Sequence, residues 1–120
     1  MLIFSLQFFC ALPPSLRPQW ALRHSQLLAP KGMLICIEFP TNKPLSMAGP
    51  PWASPPKAYE AHLPRPGVDI PYDDKGPIED QLASPQESGL KRVAHYQPER
   101  THEVGMKDGV VLDWIGIWKH

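Results

Sequence analysis

The stretch "LLAPKGMLICIEFPTNKPLSMAGPPW", residues 27–52, decides how this chain is expected to fold. It begins with the end of a predicted helix, turns at Pro30 and Gly32, and continues into an apolar segment at residues 33–39. Such a segment predicts a strand that is buried on both faces. The strand then leads into a proline-rich loop at residues 40–56. Because proline restricts φ, this loop is stiff and closes over a ligand at a low cost in conformational entropy.

The residues before this stretch predict another strand and a helix. Residues 2–9 are apolar on both faces, as is typical of an interior parallel strand. Ser15 is placed to cap the following helix, and Pro18 falls in its first turn, where the missing N–H costs little. Strand, helix and strand in this order predict a βαβ unit with a right-handed crossover, and therefore an α/β fold with a parallel sheet. The expected apolar stripe of the helix, with Arg17 outside it, consists of Leu16, Trp20, Leu27 and Leu28.

The second half of the chain has weaker patterns. We expect a short helix around residues 57–63 and an irregular surface insertion at 64–90, rich in proline, glycine and acidic residues. Its segment "YDDKGPIED" is interpreted as a solvated acidic loop. A strand within 90–97 and another over 108–118, opened by an Asp-Gly turn, are predicted to pair as a β-hairpin.

Composition and charge exclude some classes of function. Lys plus Arg number 12 and Asp plus Glu number 12, so no net field attracts nucleic acid or an anionic membrane. The 2 cysteines are expected to be buried, reduced thiols of a cytoplasmic protein. Residues 1–12 are apolar but too short to span a bilayer. They are interpreted as a strand and its turn, with a signal peptide as the alternative, although no basic segment precedes them.

Common catalytic and metal-binding motifs are absent from the sequence, which contains no G-x-G-x-x-G, P-loop, C-x-x-C or G-x-S-x-G. The histidines are scattered without metal-ligand spacing, so no metal site is predicted, and His95 is interpreted as an ordinary strand residue. Glu38, at a strand end, is the best carboxylate candidate for a polar role, with a hydrogen bond to the loop backbone as its plainer interpretation. Trp52 is a candidate lid over an apolar ligand.

Four segments together resemble one known family: "FFCALPPSLRPQWALRHSQLLAPKGMLICIEFP", "GPPW", "PERTHEVG" and "KDGVVLDWIGIWK". They look like the C-terminal half of the thiopurine/thiol S-methyltransferases, which are class I methyltransferases that use S-adenosylmethionine. The resemblance covers residues 2–119 and is weakest across 64–88. It implies a partial Rossmann-like sheet whose strands correspond to the fourth to seventh of that family.

The resemblance also implies roles for individual residues. Arg17 matches an arginine near the cofactor and substrate, and is therefore a candidate cofactor-binding residue. Gly49 with Pro50, Pro51 and Trp52 matches the loop that closes over the methyl acceptor. Arg100 matches a basic residue on the opposite side of the same pocket. The implied acceptor is a small-molecule thiol, which ionises near neutral pH, so no catalytic base is predicted.

The sequence departs from the family in the cofactor motifs. The glycine-rich turn and the acidic residue that holds the ribose hydroxyls in the family are not in this sequence. We therefore expect residues 1–120 to form the C-terminal part of a single methyltransferase domain, without its cofactor-binding half and inactive alone. Two alternatives stay open at this point. One is a non-catalytic protein that pairs with a partner through an exposed sheet edge, and the other is a small secreted proline-rich protein.

Overall fold

The computed structural model describes residues 2–6, 9–41, 43–44, 47–99, 106–107 and 110–120. In these ranges the chain forms two α-helices and a set of strands, in the following order. They are β1 (Leu2–Leu6), α1 (Arg17–Leu27), β2 (Met33–Glu38), α2 (Pro56–His62), β3 (Tyr72–Asp73), β4 (Gly76–Pro77), β5 (Lys91–Tyr96), β6 (Met106–Lys107), β7 (Val110–Val111) and β8 (Trp114–Lys119).

A four-stranded sheet organises the described part of the chain, with the strand order β1-β2-β8-β5. β1 and β2 are parallel, while β8 is antiparallel to both β2 and β5. It follows that β1, β2 and β5 all end at the same border, here called the carboxyl edge of the sheet. The mixture of helices and strands is compatible with the predicted α/β class. A Rossmann-like arrangement stays a prediction.

Both helices pack with one face of the sheet. Leu34 and Cys36 alternate on that face of β2, and each is completely buried. The apolar side chains that pack with them in one cluster are Phe9, Trp20, Ala21, Leu28, Ala58, Tyr59, Leu63, Leu90 and Trp118. Cys10 and Cys36 are both buried and not joined by a disulfide, as expected. None of the helices in the described ranges has the length and apolar character needed to cross a lipid bilayer.

The predicted helix exists, but its start and its buried side differ from the prediction. A 3-10 turn occupies Pro14–Leu16, so α1 begins at Arg17, and Ser15 does not cap it. Pro18 lies in the first turn, as predicted. Leu16 is 46% exposed and Leu27 65% exposed, while Arg17 is completely buried. Trp20 and Leu28 are buried as predicted, and Arg17 and Ala21 are buried with them.

The predicted strand over residues 108–118 is interrupted. Val110–Val111 pairs with Met106–Lys107, outside the main sheet, and the chain rejoins the sheet at Trp114. At this break the Asp113 side chain is buried, and the Leu112 carbonyl accepts a 2.5 Å hydrogen bond from the Thr41 hydroxyl. The pairing of β5 with β8 agrees with the predicted hairpin partners. The Asp-Gly turn at residues 108–109 lies outside the described residues.

Candidate functional site

The loops that follow β1 and β2 meet at the carboxyl edge of the sheet. The Trp52 backbone N–H donates to the Cys10 carbonyl at 2.6 Å. The Ser54 N–H donates to the Pro40 carbonyl at 2.9 Å, which closes the proline-rich loop on itself. Ligands of open α/β sheets bind beyond this edge, because the loops that leave parallel strands converge there. The sequence placed the proline-rich loop at this position, and the structure adds the contact with the segment after β1.

Arg17 joins these two loops from the first residue of α1. Its Nη2 donates to the Ala53 carbonyl at 2.7 Å and lies 3.5 Å from the Ser54 hydroxyl. Its guanidinium carbon is 4.3 Å from the centroid of the Phe9 ring, a cation–π distance. The described residues place no carboxylate within ion-pair distance of it, and its Nε has no hydrogen-bond partner among them. Arg17 is thus a buried cation held by neutral acceptors and an aromatic face.

Tyr72 and His62 extend this cluster toward the second helix. Arg17 Nη1 donates to the Tyr72 hydroxyl at 3.3 Å, and that hydroxyl is 2.7 Å from His62 Nε2. Burial, with smaller contributions from Arg17 and Arg65, lowers the pKa of His62 to about 3. The imidazole is therefore neutral at physiological pH. Burial also raises the pKa of Tyr72, which Arg17 opposes, so its hydroxyl stays protonated.

The GPPW segment presents its prolines to solvent and its tryptophan to the protein. Pro50 and Pro51 are exposed, and Trp52 is half-buried. The Trp52 ring folds back over Gly49, where a Cβ atom would lie 2.6 Å from the ring carbons. Lys43 Nζ donates to the Ala48 carbonyl at 3.1 Å and also to the Pro51 carbonyl. These contacts give the loop a defined shape next to Arg17.

A second polar pair lies along the same edge, on β2 and β5. Glu38 is completely buried, and its Oε1 lies 2.8 Å from His95 Nε2. Burial raises the pKa of Glu38, while the hydrogen bond and charge of His95 oppose that shift. Glu38 Oε2 has no partner among the described residues and lies where a Cβ at Gly116 would come within 2.6 Å. Glycine at this position of β8 is therefore what allows the carboxylate to lie against the strand.

The sequence-predicted site residues are thus brought together in part. Arg17 and the GPPW loop adjoin, whereas Arg100 lies outside the described residues. Glu38 has a polar role as predicted, but it binds His95 and not the loop backbone. His62, Tyr72 and His95 were missed. Tyr72 lies in the segment interpreted as a solvated acidic loop. The spacing of the histidines along the sequence did not indicate that His62 contacts Tyr72 or that His95 contacts Glu38.

The chain is similar to plant methyltransferases over most of its length. "Probable thiol methyltransferase 2" of Arabidopsis thaliana is 31% identical over 100 residues, which are 83% of this chain and 42% of that protein. "Thiocyanate methyltransferase 1" of the same species is 31% identical over 96 residues, 80% of this chain and 40% of that protein. A Brassica oleracea protein of the same name is 39% identical over 59 residues. The chain spans less than half the length of these relatives, and no protein-family model matches it.

Proposed function

Because this chain is a relative of the thiol S-methyltransferase family, we propose that it forms the methyl-acceptor side of an S-adenosylmethionine-dependent thiol methyltransferase domain. Residues 1–120 are then the C-terminal part of that domain, and the acceptor is a small-molecule thiol. The observation that supports this most is the bond from Arg17 to the Ala53 carbonyl. This bond connects the segment after β1 to the loop after β2 at the carboxyl edge of the sheet. Open α/β sheets bind their ligands beyond that edge.

Methyl transfer to a thiol demands positioning more than acid–base chemistry. Thiols ionise close to neutral pH, and holding the sulfur in line with the methyl group contributes a large part of the rate. In our proposal the GPPW loop does the positioning: Trp52 packs against the apolar part of the acceptor, and Pro50 and Pro51 cover it. Arg100 lies outside the described residues, and its contact with the acceptor is what the family resemblance implies.

The described residues do not by themselves fit a complete S-adenosylmethionine site. Arg17 is the candidate, yet its side chain is completely buried and bonded to Ala53 and Tyr72. Its Nε has no hydrogen-bond partner among the described residues, but it is buried as well. We therefore propose that Arg17 acts by holding the acceptor loop, and its direct contact with the cofactor stays a prediction. The missing glycine-rich turn leads us to expect weak cofactor binding by these residues alone.

A chimera tests the proposed function. The part of the Arabidopsis relative that precedes its aligned segment is fused ahead of residues 1–120, and methylation of thiophenol by S-adenosylmethionine is measured. We expect turnover by the chimera and none by the 120-residue chain, for which isothermal titration should give no micromolar cofactor binding. Trp52→Ala should lower kcat/KM for the thiol by about tenfold through lost positioning.

Lys31→Ala is the matched control for Trp52→Ala, since Lys31 is exposed in the turn before β2. It should leave kcat/KM unchanged. A folded chimera that binds S-adenosylmethionine but methylates none of a panel of aliphatic and aromatic thiols would overturn the proposal. Micromolar binding of S-adenosylmethionine by the 120-residue chain would contradict the proposal that residues 1–120 form only the acceptor side of the domain.

A further inference from the structure

A cleft of about 360 Å³ lies between the start of α1 and the segment that carries β3. Its lining includes Pro14 and Pro18 from the α1 side, and Asp69 and Asp73 from the other side. The Gly67 N–H donates to the Pro18 carbonyl at 3.0 Å, so the two sides are joined directly. Gly67 has φ of 75°, a conformation that favours glycine. The two walls of the cleft are thus held together by the backbone, and one of its lining residues, Tyr72, contacts Arg17.

The inner part of this cleft is formed by His62 and Tyr72, and it offers one unused hydrogen-bonding atom. His62 is 1% exposed, and its Nδ1 has no partner among the described residues. The Tyr72 oxygen accepts from Arg17, and the hydroxyl shares a hydrogen bond with His62 Nε2. We take the tautomer in which Tyr72 donates this bond to Nε2. In a neutral imidazole the proton then lies on Nδ1. An N–H donor buried without an acceptor is costly, so His62 is prepared for a ligand atom that accepts a hydrogen bond.

The outer part of the cleft is anionic. Asp69 and Asp73 are exposed, and neither takes part in an ion pair among the described residues. Asp73 Oδ1 accepts from the Lys75 backbone N–H at 2.8 Å, which orients the carboxylate within its turn. The described residues that line the cleft include no lysine or arginine, and Lys57 and Lys75 line a separate pocket with Asp73. The entrance therefore favours a positively charged group.

From this arrangement we infer that the cleft binds a small ammonium compound whose other end accepts a hydrogen bond from His62. The ammonium lies between Asp69 and Asp73, and the prolines pack on the short aliphatic link. Of the described residues that line this cleft, none belongs to the GPPW loop, so the inference concerns a ligand site separate from the acceptor pocket of the proposed function. Asp69 and Asp73 lie in residues 64–88, where the family resemblance is weakest. The preference for a positively charged ligand is therefore expected of this chain and not of the whole family.

Cysteamine and 2-mercaptoethanol are the probes that test this inference, since they differ in one end group, ammonium against hydroxyl. The 120-residue chain is titrated with each under reducing conditions and followed by amide-detected NMR. We expect cysteamine to shift the signals of His62, Asp69 and Tyr72 with millimolar affinity, as its few atoms bury little surface. Its affinity should exceed that of 2-mercaptoethanol by about fivefold, the scale of a solvent-exposed charge pair.

Asp69→Asn and Asp73→Asn should each weaken cysteamine binding by about two- to fivefold and leave 2-mercaptoethanol unaffected. Asp80→Asn is the control, because Asp80 is exposed and does not line the cleft. Equal binding of both probes, binding of neither, or shifts confined to other residues would each overturn the inference. Cysteamine binding at the cleft, together with an inactive chimera, would retain this site and reject the methyltransferase proposal.

Discussion

At the scale of single residues, the polar side chains in the interior are the informative ones. Arg17, Glu38 and His62 are each no more than 1% exposed, and each has one polar atom without a partner among the described residues. Burying such groups lowers stability unless hydrogen bonds compensate. Ionisable groups with perturbed pKa values cluster at functional sites, which agrees with the site proposed at the carboxyl edge.

Burial of the His62 side chain predicts how the free energy of unfolding depends on pH. Its pKa falls from 6.5 in the unfolded chain to about 3 in the folded protein. Below pH 6.5 the unfolded chain therefore binds a proton that the native His62 does not, and stability is lost as the pH falls toward 3. The loss attributable to His62 between pH 7.5 and 5.5 is about 1.4 kcal/mol. Urea unfolding at these two pH values measures it.

His62→Gln is the variant that isolates this effect, because an amide can meet the Tyr72 hydroxyl but does not titrate. The difference in unfolding free energy between the two pH values should shrink by about 1.4 kcal/mol in the variant. His24 provides the comparison: burial also lowers its pKa, so part of the pH dependence should survive in His62→Gln. An unchanged pH dependence would show that His62 is protonated in the folded protein.

At the scale of elements, the sequence identified most helices and strands but not their exact faces. The apolar run at 33–39 gave β2, and the strand predicted over 108–118 contains β8 in its second half. The predicted stripe of α1 was right in part: Trp20 and Leu28 are buried, whereas Leu16, in the preceding 3-10 turn, and Leu27 are exposed. Arg17, which was expected on the solvent side, is instead completely buried at the first residue of the helix.

Replacing Arg17 tests how strongly α1 is coupled to the proline-rich loop. Arg17→Lys keeps the charge but loses the forked contacts to Ala53 and Tyr72 and the stacking on Phe9. We expect a loss of about 2–4 kcal/mol in unfolding free energy. Hydrogen exchange at the Trp52 and Ser54 amides should accelerate, because both belong to the loop that Arg17 anchors.

Arg23→Lys is the matched control in the same helix, since Arg23 is exposed and bonds to Gln26 on the surface. It should change stability by less than about 0.5 kcal/mol. If Arg17→Lys proves as harmless as this control, the guanidinium is not what connects the two loops.

At the scale of the whole molecule, the segment between α2 and β5 is held at both of its ends. The Gln86 N–H donates to the Pro64 carbonyl and the Leu90 N–H to the Leu63 carbonyl, each at 3.0 Å. The segment predicted as an irregular insertion thus returns to the end of α2, and it contains the β3–β4 pair. This closure positions Asp69, Tyr72 and Asp73 beside the start of α1.

Gly89→Ala tests that closure. An added Cβ would lie 2.0 Å from the Pro64 carbonyl oxygen, and backbone cannot move aside as a flexible side chain can. We expect the free energy of unfolding to fall by about 2–4 kcal/mol, with a lower Tm in thermal unfolding. Ser88→Ala, one residue earlier and exposed, should be close to neutral. A neutral Gly89→Ala would show that the two ends of the segment are not closely packed.

The sequence by itself determined the order of the main elements, the proline-rich loop after β2, and the family relationship. Each of the three can be recognised from neighbouring residues in the sequence, namely runs of apolar residues, turn-forming residues and short motifs. The tertiary structure decided which polar side chains meet. Arg17 with Ala53, His62 with Tyr72 and Glu38 with His95 are separated along the chain by 36, 10 and 57 residues. Such contacts depend on strand order, helix rotation and loop closure, which follow from packing the whole chain and leave no local pattern in the sequence.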